Sequence, residues 1–289
     1  MRWYGQWLES CARQNGEIPK SLYERVRGAV EHVGSRRGLA QRTIQTYGSW
    51  AARYGIWVGD AKRMLDANNA RDWLTYLVEK REVSFATQKQ ALNALAFFFK
   101  DVCGMAEVDL GVKLCKRTRH IPTVLSSREV FKLIEKMEPK YRLAAELQYG
   151  SGLRLNELLR LRIKDIDLER QTVTVRQGKG QKDRVTVLPE VLLEKLLKQR
   201  EAVRALYKMD REAEAPAVYI PQALARKMPK AGTSWQWFWV FPNSLESTDP
   251  VTGVKRRHHI HEAVYNKHLK AAAEEAGIEK RVTSHVLRH

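Results

Sequence analysis

The chain has 289 residues and a formal charge of +18, from 51 lysines and arginines against 33 acidic residues. That length gives room for two domains with separate cores, and a basic excess spread along the whole chain points to nucleic acid as the partner. Cys11, Cys103 and Cys115 form no C-x-x-C pair and no histidine-paired spacing, which argues against a disulfide framework or a zinc site. No apolar run approaches transmembrane length and no signal peptide opens the chain, so it reads as cytoplasmic, with no membrane partner and no cofactor.

The first elements are helical. Trp3, Tyr4, Trp7 and Leu8 form a small apolar group before the break at Gly16–Pro19. Leu22, Val26, Val30 and Val33 lie at helical spacing, with Gly34 or Gly38 as the stop. A second helix runs from Gln41 to Val58 through Ile44, Tyr47, Ala51 and Tyr54. Asn69 starts a third, bearing Trp73, Leu74, Leu77 and Val78, and Ser84 caps a fourth with Ala91, Leu95, Phe98, Phe99 and Val102. Residues 1–115 therefore read as an all-helical domain. Lys113, Lys116, Arg117, Arg119 and His120 follow as a basic run ending at Pro122, and residues 116–124 read as a linker suited to phosphate contacts.

Residues 125–289 mix patterns. Ser126 and Glu129 make a capping box for a helix bearing Val130, Leu133, Ile134 and Met137. In the stretch Gln148 to Asp167, Gly150 and Gly152 are expected to break any helix before Arg154. Leu155, Leu158, Leu159 and Leu161 then give a helix one apolar face, so Arg154 stands where a turn enters a helix. Such an end favours anions, and Glu157 can reach back to fix the guanidinium. Thr172 to Pro189 alternates Val173, Val175 and then Val185, Val187, two strands joined by a glycine-rich turn with Lys179 near the tip. Leu192, Leu193, Leu196, Val203 and Leu206 mark another helix. Trp235, Trp237, Phe238, Trp239, Val240 and Phe241 crowd into one run, where core packing is expected for at least half of the tryptophans and alternation would bury one face of a strand. After Lys255 to His259 comes a last helix, His261 to Ala276, stopped by Gly277, and the chain closes on SHVLRH.

An arginine after G-x-G-L, a lysine on a β-hairpin turn and a late H-x-L-R-H, in that order, resemble the catalytic domain of tyrosine recombinases. Thr43, Tyr47 and Trp50 look like the T-x-x-x-Y-x-x-W start of that family's core-binding domain. Leu224, Lys227, Pro229, Ala231, Trp235, Trp237, Val240, Phe241 and Pro242, followed by Arg256 to Glu262, are similar to an insertion found in integron integrases, a branch of that family. The resemblance implies a mainly α protein with a small β-hairpin or sheet: a helical core-binding domain over 1–115 and a mixed α/β catalytic domain over 125–289, with the insertion at about 217–248. It implies site-specific strand exchange through a 3′-phosphotyrosyl intermediate, without metal. Arg154 and Arg288 would grip the non-bridging oxygens of a pentacoordinate phosphate, and His285 would donate a hydrogen bond or relay a proton. Lys179 would protonate the departing 5′-hydroxyl; Lys182 is its rival, with Lys179 favoured by its place in G-K-G, and Glu157 supports Arg154.

Duplex sites, folded single-stranded sites and a synaptic tetramer are the implied partners. Lys116, Arg117 and Arg119 would contact phosphate, and Trp235, Trp237, His258 and His259 would hold extrahelical bases. The family places its nucleophilic tyrosine beyond H-x-L-R-H, and no tyrosine follows Arg288 here. Tyr149 and Tyr265 do not sit in that context, so the chain is expected to be truncated, to bind DNA and to cleave it poorly or not at all. A non-catalytic DNA-binding protein is the alternative; a type IB topoisomerase-like enzyme and a metal nuclease fit less well.

Overall fold

The structure, a computed structural model, describes residues 21–105, 108–111, 123–176, 183–249 and 252–288, with only the backbone of residue 222. The chain divides into two compact units, Met1–His120 and Ile121–His289. The group around Trp3, the run from Lys113 to Pro122, Lys179, Lys182 and His289 lie outside the described residues.

Within the first unit, helix α1 (Leu22–Arg36) begins at a Ser21–Glu24 capping box and runs through Gly34; the chain turns only at Gly38, where φ is 68°. Helix α2 occupies Gln41–Val58, as the periodicity predicts. Helix α3 (Ala67–Glu79) starts two residues before the expected Asn69, because the Asp66 carboxylate accepts from the Asn68 N–H and caps it. Helix α4 (Phe85–Phe97), capped by Ser84, widens into a π-type turn over Phe98–Val102. Tyr54, Trp73, Leu74, Leu95 and Phe99 fill the core between these helices. Tyr47 and Trp50 belong to that packing, against Phe97 and Trp73.

The second unit opens with α5 (Ser127–Lys136) behind the predicted Ser126–Glu129 box. Helix α6 (Pro139–Ser151) continues through Gly150, contrary to expectation, and stops at Gly152, which adopts φ 60°. Gly150 serves close approach: a Cβ there would lie 2.5 Å from Cγ of Pro189. Helix α7 (Leu155–Leu159) follows, then strands β1 (Ile166–Asp167), β2 (Thr172–Val175) and β3 (Arg184–Val187) in antiparallel order β1-β2-β3. Val175 pairs with Arg184 at the end of the hairpin. The two strands use their alternation differently. Val173 and Val175 are buried, but Val185 and Val187 face outward at 64% and 66% exposure, and the polar Arg184 and Thr186 turn inward.

Helix α8 (Leu193–Glu212) and short α9 (Gln222–Lys227) lead to turns at Ala231–Thr233 and Trp235–Trp237. Phe238 to Phe241 do not alternate as predicted. All four are buried, because the run pairs with residues 161–163: the Ile163 N–H donates to Phe238 O and the Val240 N–H to Leu161 O. Strands β4 (Pro242–Thr248) and β5 (Lys255–His259) form a second sheet, and α10 (Glu262–Glu275) precedes the closing 3-10 turn Val286–Arg288. The architecture is thus mainly helical with small antiparallel sheets.

Candidate active site

The Gly152 turn reverses the chain so that Leu153 enters the core and Arg154 stands at the N-cap of α7, one-third exposed. The predicted contact with Glu157 is present: Arg154 Nη1 lies 2.7 Å from Oε1, and the Arg154 backbone N–H donates to Oε2 at 2.8 Å. Glu157 therefore takes one N–H at the start of α7 and one nitrogen of the Arg154 guanidinium. A second arginine holds the same carboxylate. Arg184 on β3 reaches it through both terminal nitrogens, at 2.8 and 2.6 Å. Burial alone would raise the Glu157 carboxyl, but hydrogen bonds from Arg184 and from Arg154 outweigh it and hold the group at about 2. The carboxylate is charged at every working pH, and both cations are oriented by it.

The Thr186 hydroxyl donates to Ser151 O at 3.0 Å, so β3 is fastened to the arginine turn at a second point. The closing motif comes to the same place through Gln148, whose Nε2 donates to Leu153 O and to Ser284 O at 3.3 and 2.9 Å. Those carbonyls belong to the residues just before Arg154 and His285. In the 3-10 turn the Arg288 N–H donates to His285 O, which puts the two side chains on one face; His285 is exposed and Arg288 half-buried. Sequence reasoning missed Arg184 and Gln148. Their signal lay in long-range pairing, apart from the inward register of Arg184 between exposed positions.

Tyr265 and Tyr149 are engaged elsewhere. Tyr265 is fully buried and its hydroxyl donates to Gln148 Oε1 at 2.8 Å, while Tyr149 sits edge-on to Phe131. Asp165 accepts from Arg176 Nε at 2.7 Å and from the Arg162 N–H, acting as a buried strap between strand and turn.

The aromatic segment forms a second cluster. Arg162, 8% exposed, donates to Trp237 O and Tyr219 O at 2.8 and 2.7 Å and lies against the Trp239 ring, 3.1 Å from its centroid. Burial pulls its guanidinium down to about 9, still charged near neutrality. His258 stacks on Trp239 at 5.2 Å and His259 meets it edge-on at 4.8 Å. Burial lowers both imidazoles, His259 to about 3 even though Ile260 O accepts from its Nδ1, so both are neutral at pH 7. Trp237 is half-buried beneath the Lys164 ammonium, and Trp235 packs with Tyr207 and Phe238 under Arg204. A bidentate pair, Arg257 to Asp210 at 2.5 and 2.6 Å, fixes β5 to α8.

Comparison with known proteins decides the family. The model of the phage integrase family matches residues 123–289, and that of the phage integrase N-terminal SAM-like domain matches 22–106. The chain belongs to the phage integrase family. These tyrosine recombinases cleave and rejoin DNA. An integrase/recombinase of Escherichia coli is 40% identical over 250 residues, covering 86% of this chain and 74% of the relative. Tyrosine recombinase XerA of Thermococcus kodakarensis is 31% identical over 224 residues, covering 76% and 74%. Among solved structures the fold is shared with a lambda integrase dimer bound to a core site (TM-score 0.58, 18% identity, 89% of this chain and 81% of that one). It is also shared with the XerH site-specific recombinase bound to its difH substrate (TM-score 0.56, 20% identity, 99% and 82%).

Proposed function

We propose that this family member is a site-specific recombinase of the integron integrase type, exchanging DNA strands through a 3′-phosphotyrosyl intermediate. Arg154 and Arg288 grip the scissile phosphate, His285 donates a hydrogen bond to it, and Lys179 protonates the leaving 5′-hydroxyl. Residues 1–115 and 125–289 act as the core-binding and catalytic domains, joined by a basic linker along the DNA. The observation that carries the reading is the hydrogen bonding of Gln148 to Leu153 and Ser284, which draws the Arg154 turn to a motif 136 residues from Gln148. Two cations carried on turns held by one buried amide suit a reaction whose charge builds on phosphoryl oxygens.

The test uses the full-length product of the gene and a duplex that the protein selects from a random pool, nicked beside the cleaved phosphate. Wild type should trap a covalent adduct without magnesium. Arg154→Ala and Arg288→Ala should each slow trapping by about a hundredfold or more while keeping DNA affinity. DNA binding with no adduct from wild type would favour a non-catalytic DNA-binding protein with a recombinase fold.

The integron assignment rests on the aromatic segment, where half-buried Trp237 lies under Lys164, and His258 and His259 pack on Trp239 beside Arg162. Such a surface suits unpaired bases. A folded single-stranded hairpin with bulged bases should bind about tenfold tighter than the same hairpin fully paired, given roughly 1–3 kcal/mol per stacked base. His258→Ala with His259→Ala should erase the difference in a gel-shift series. Equal affinity of wild type for both hairpins would leave a general recombinase.

A further inference from the structure

Gln148 is a polar residue at a fully buried place. Leu147, Leu153, Tyr265, Val286 and Leu287 are buried in the core of the same unit. A leucine there would agree with its surroundings, so the amide calls for another explanation. Both polar atoms of the amide are engaged. Nε2 places its two hydrogens on Ser284 O and Leu153 O, and Oε1 accepts from the Tyr265 hydroxyl at 2.8 Å. Backbone carbonyls can only accept, so the nitrogen must face them and the oxygen must face the phenol. Burial raises the Tyr265 hydroxyl above its ordinary value, which keeps it protonated and donating. The network has one orientation, and α6, α10 and the two site turns meet in it.

We propose that Gln148 is a positioning residue for the phosphate grip: its amide sets the Arg154 turn and the His285–Arg288 turn in a common register, and Tyr265 holds that amide in place. The inference rests on the roles proposed above for Arg154, His285 and Arg288. Neither Gln148 nor Tyr265 touches the reacting atoms. Their contribution is distance: misplacing reacting groups by about 1 Å can cost roughly a hundredfold in rate.

The test compares Gln148→Leu, Gln148→Glu and Tyr265→Phe in the full-length protein, on the selected nicked duplex. Adduct formation at saturating DNA, DNA affinity and thermal unfolding are measured together. Gln148→Leu should melt cooperatively and bind DNA as wild type does, yet cleave about a hundredfold more slowly. Tyr265→Phe keeps the ring and frees the amide, and should slow cleavage by roughly tenfold. Gln148→Glu supplies a pH signature. Burial raises its carboxyl, and only the protonated form can donate to Ser284 O while accepting from Tyr265. Its rate relative to wild type should therefore rise as the pH falls from about 8 to about 6.

A folded Gln148→Leu that cleaves at the wild-type rate, or loses cleavage only in proportion to folded protein, overturns the inference and leaves the function intact. Should that variant fail to fold, the other two decide: unchanged cleavage in Tyr265→Phe with a flat pH ratio in Gln148→Glu overturns it equally. A wild-type protein that forms no adduct sinks both readings.

Discussion

At the scale of single residues, the candidate site is a set of charges on turns held by one carboxylate and one amide. Arg154 and Glu157 can be read from sequence because three residues on a helical turn fix their neighbourhood. Arg184 and Gln148 cannot, since their partners lie 27 and 136 residues away. His259 shows the same limit. Nothing in the motif foretells that burial holds its imidazole at about 3, while an unfolded chain would titrate near the ordinary value of 6.5. Between those values the unfolded state binds a proton that the folded state refuses, so stability is full above 6.5 and falls as the pH drops toward 3. Melting curves across that window should show a smaller acid-induced loss for His259→Gln than for wild type. An identical loss in both would mean the imidazole is already protonated in the folded protein.

At the scale of elements, caps and periodicity are legible and packing partners are not. The Ser126–Glu129 box, the Ser84 cap and the span Gln41–Val58 stand where local rules put them, because each depends on residues within one turn. Gly150 departs from those rules. A helix interior ordinarily prefers alanine to glycine by about 1 kcal/mol, yet here an added methyl would meet the Pro189 ring. Gly150→Ala should therefore destabilise the protein, by about 1–3 kcal/mol as in other overpacked cores. A denaturant titration that finds it neutral or stabilising would mean the segment around Pro189 moves aside freely. The run Phe238 to Phe241 departs from simple alternation for a related reason. Its pairing with residues 161–163 and its burial on successive positions depend on what covers both sides.

At the scale of the whole chain, charge is the property that sequence states outright. With +18 spread over 289 residues, affinity for DNA should be dominated by counterion release. Replacing Lys116, Arg117 and Arg119 together by alanine should flatten the slope of log K against log salt by about one unit for each phosphate no longer neutralised. A slope that stays unchanged would remove the linker from the DNA interface. Among the described residues, strands occur only in the second of the two units.

The outward valines of β3 have a practical consequence. Among the described residues that strand is the last in its sheet, pairs with β2 along one side, and shows Val185 and Val187 to solvent, with Val191 just beyond at 81% exposure. An apolar border strand of this kind invites a neighbouring molecule to continue the ladder. In concentrated preparations the protein should therefore be prone to self-association through this strand.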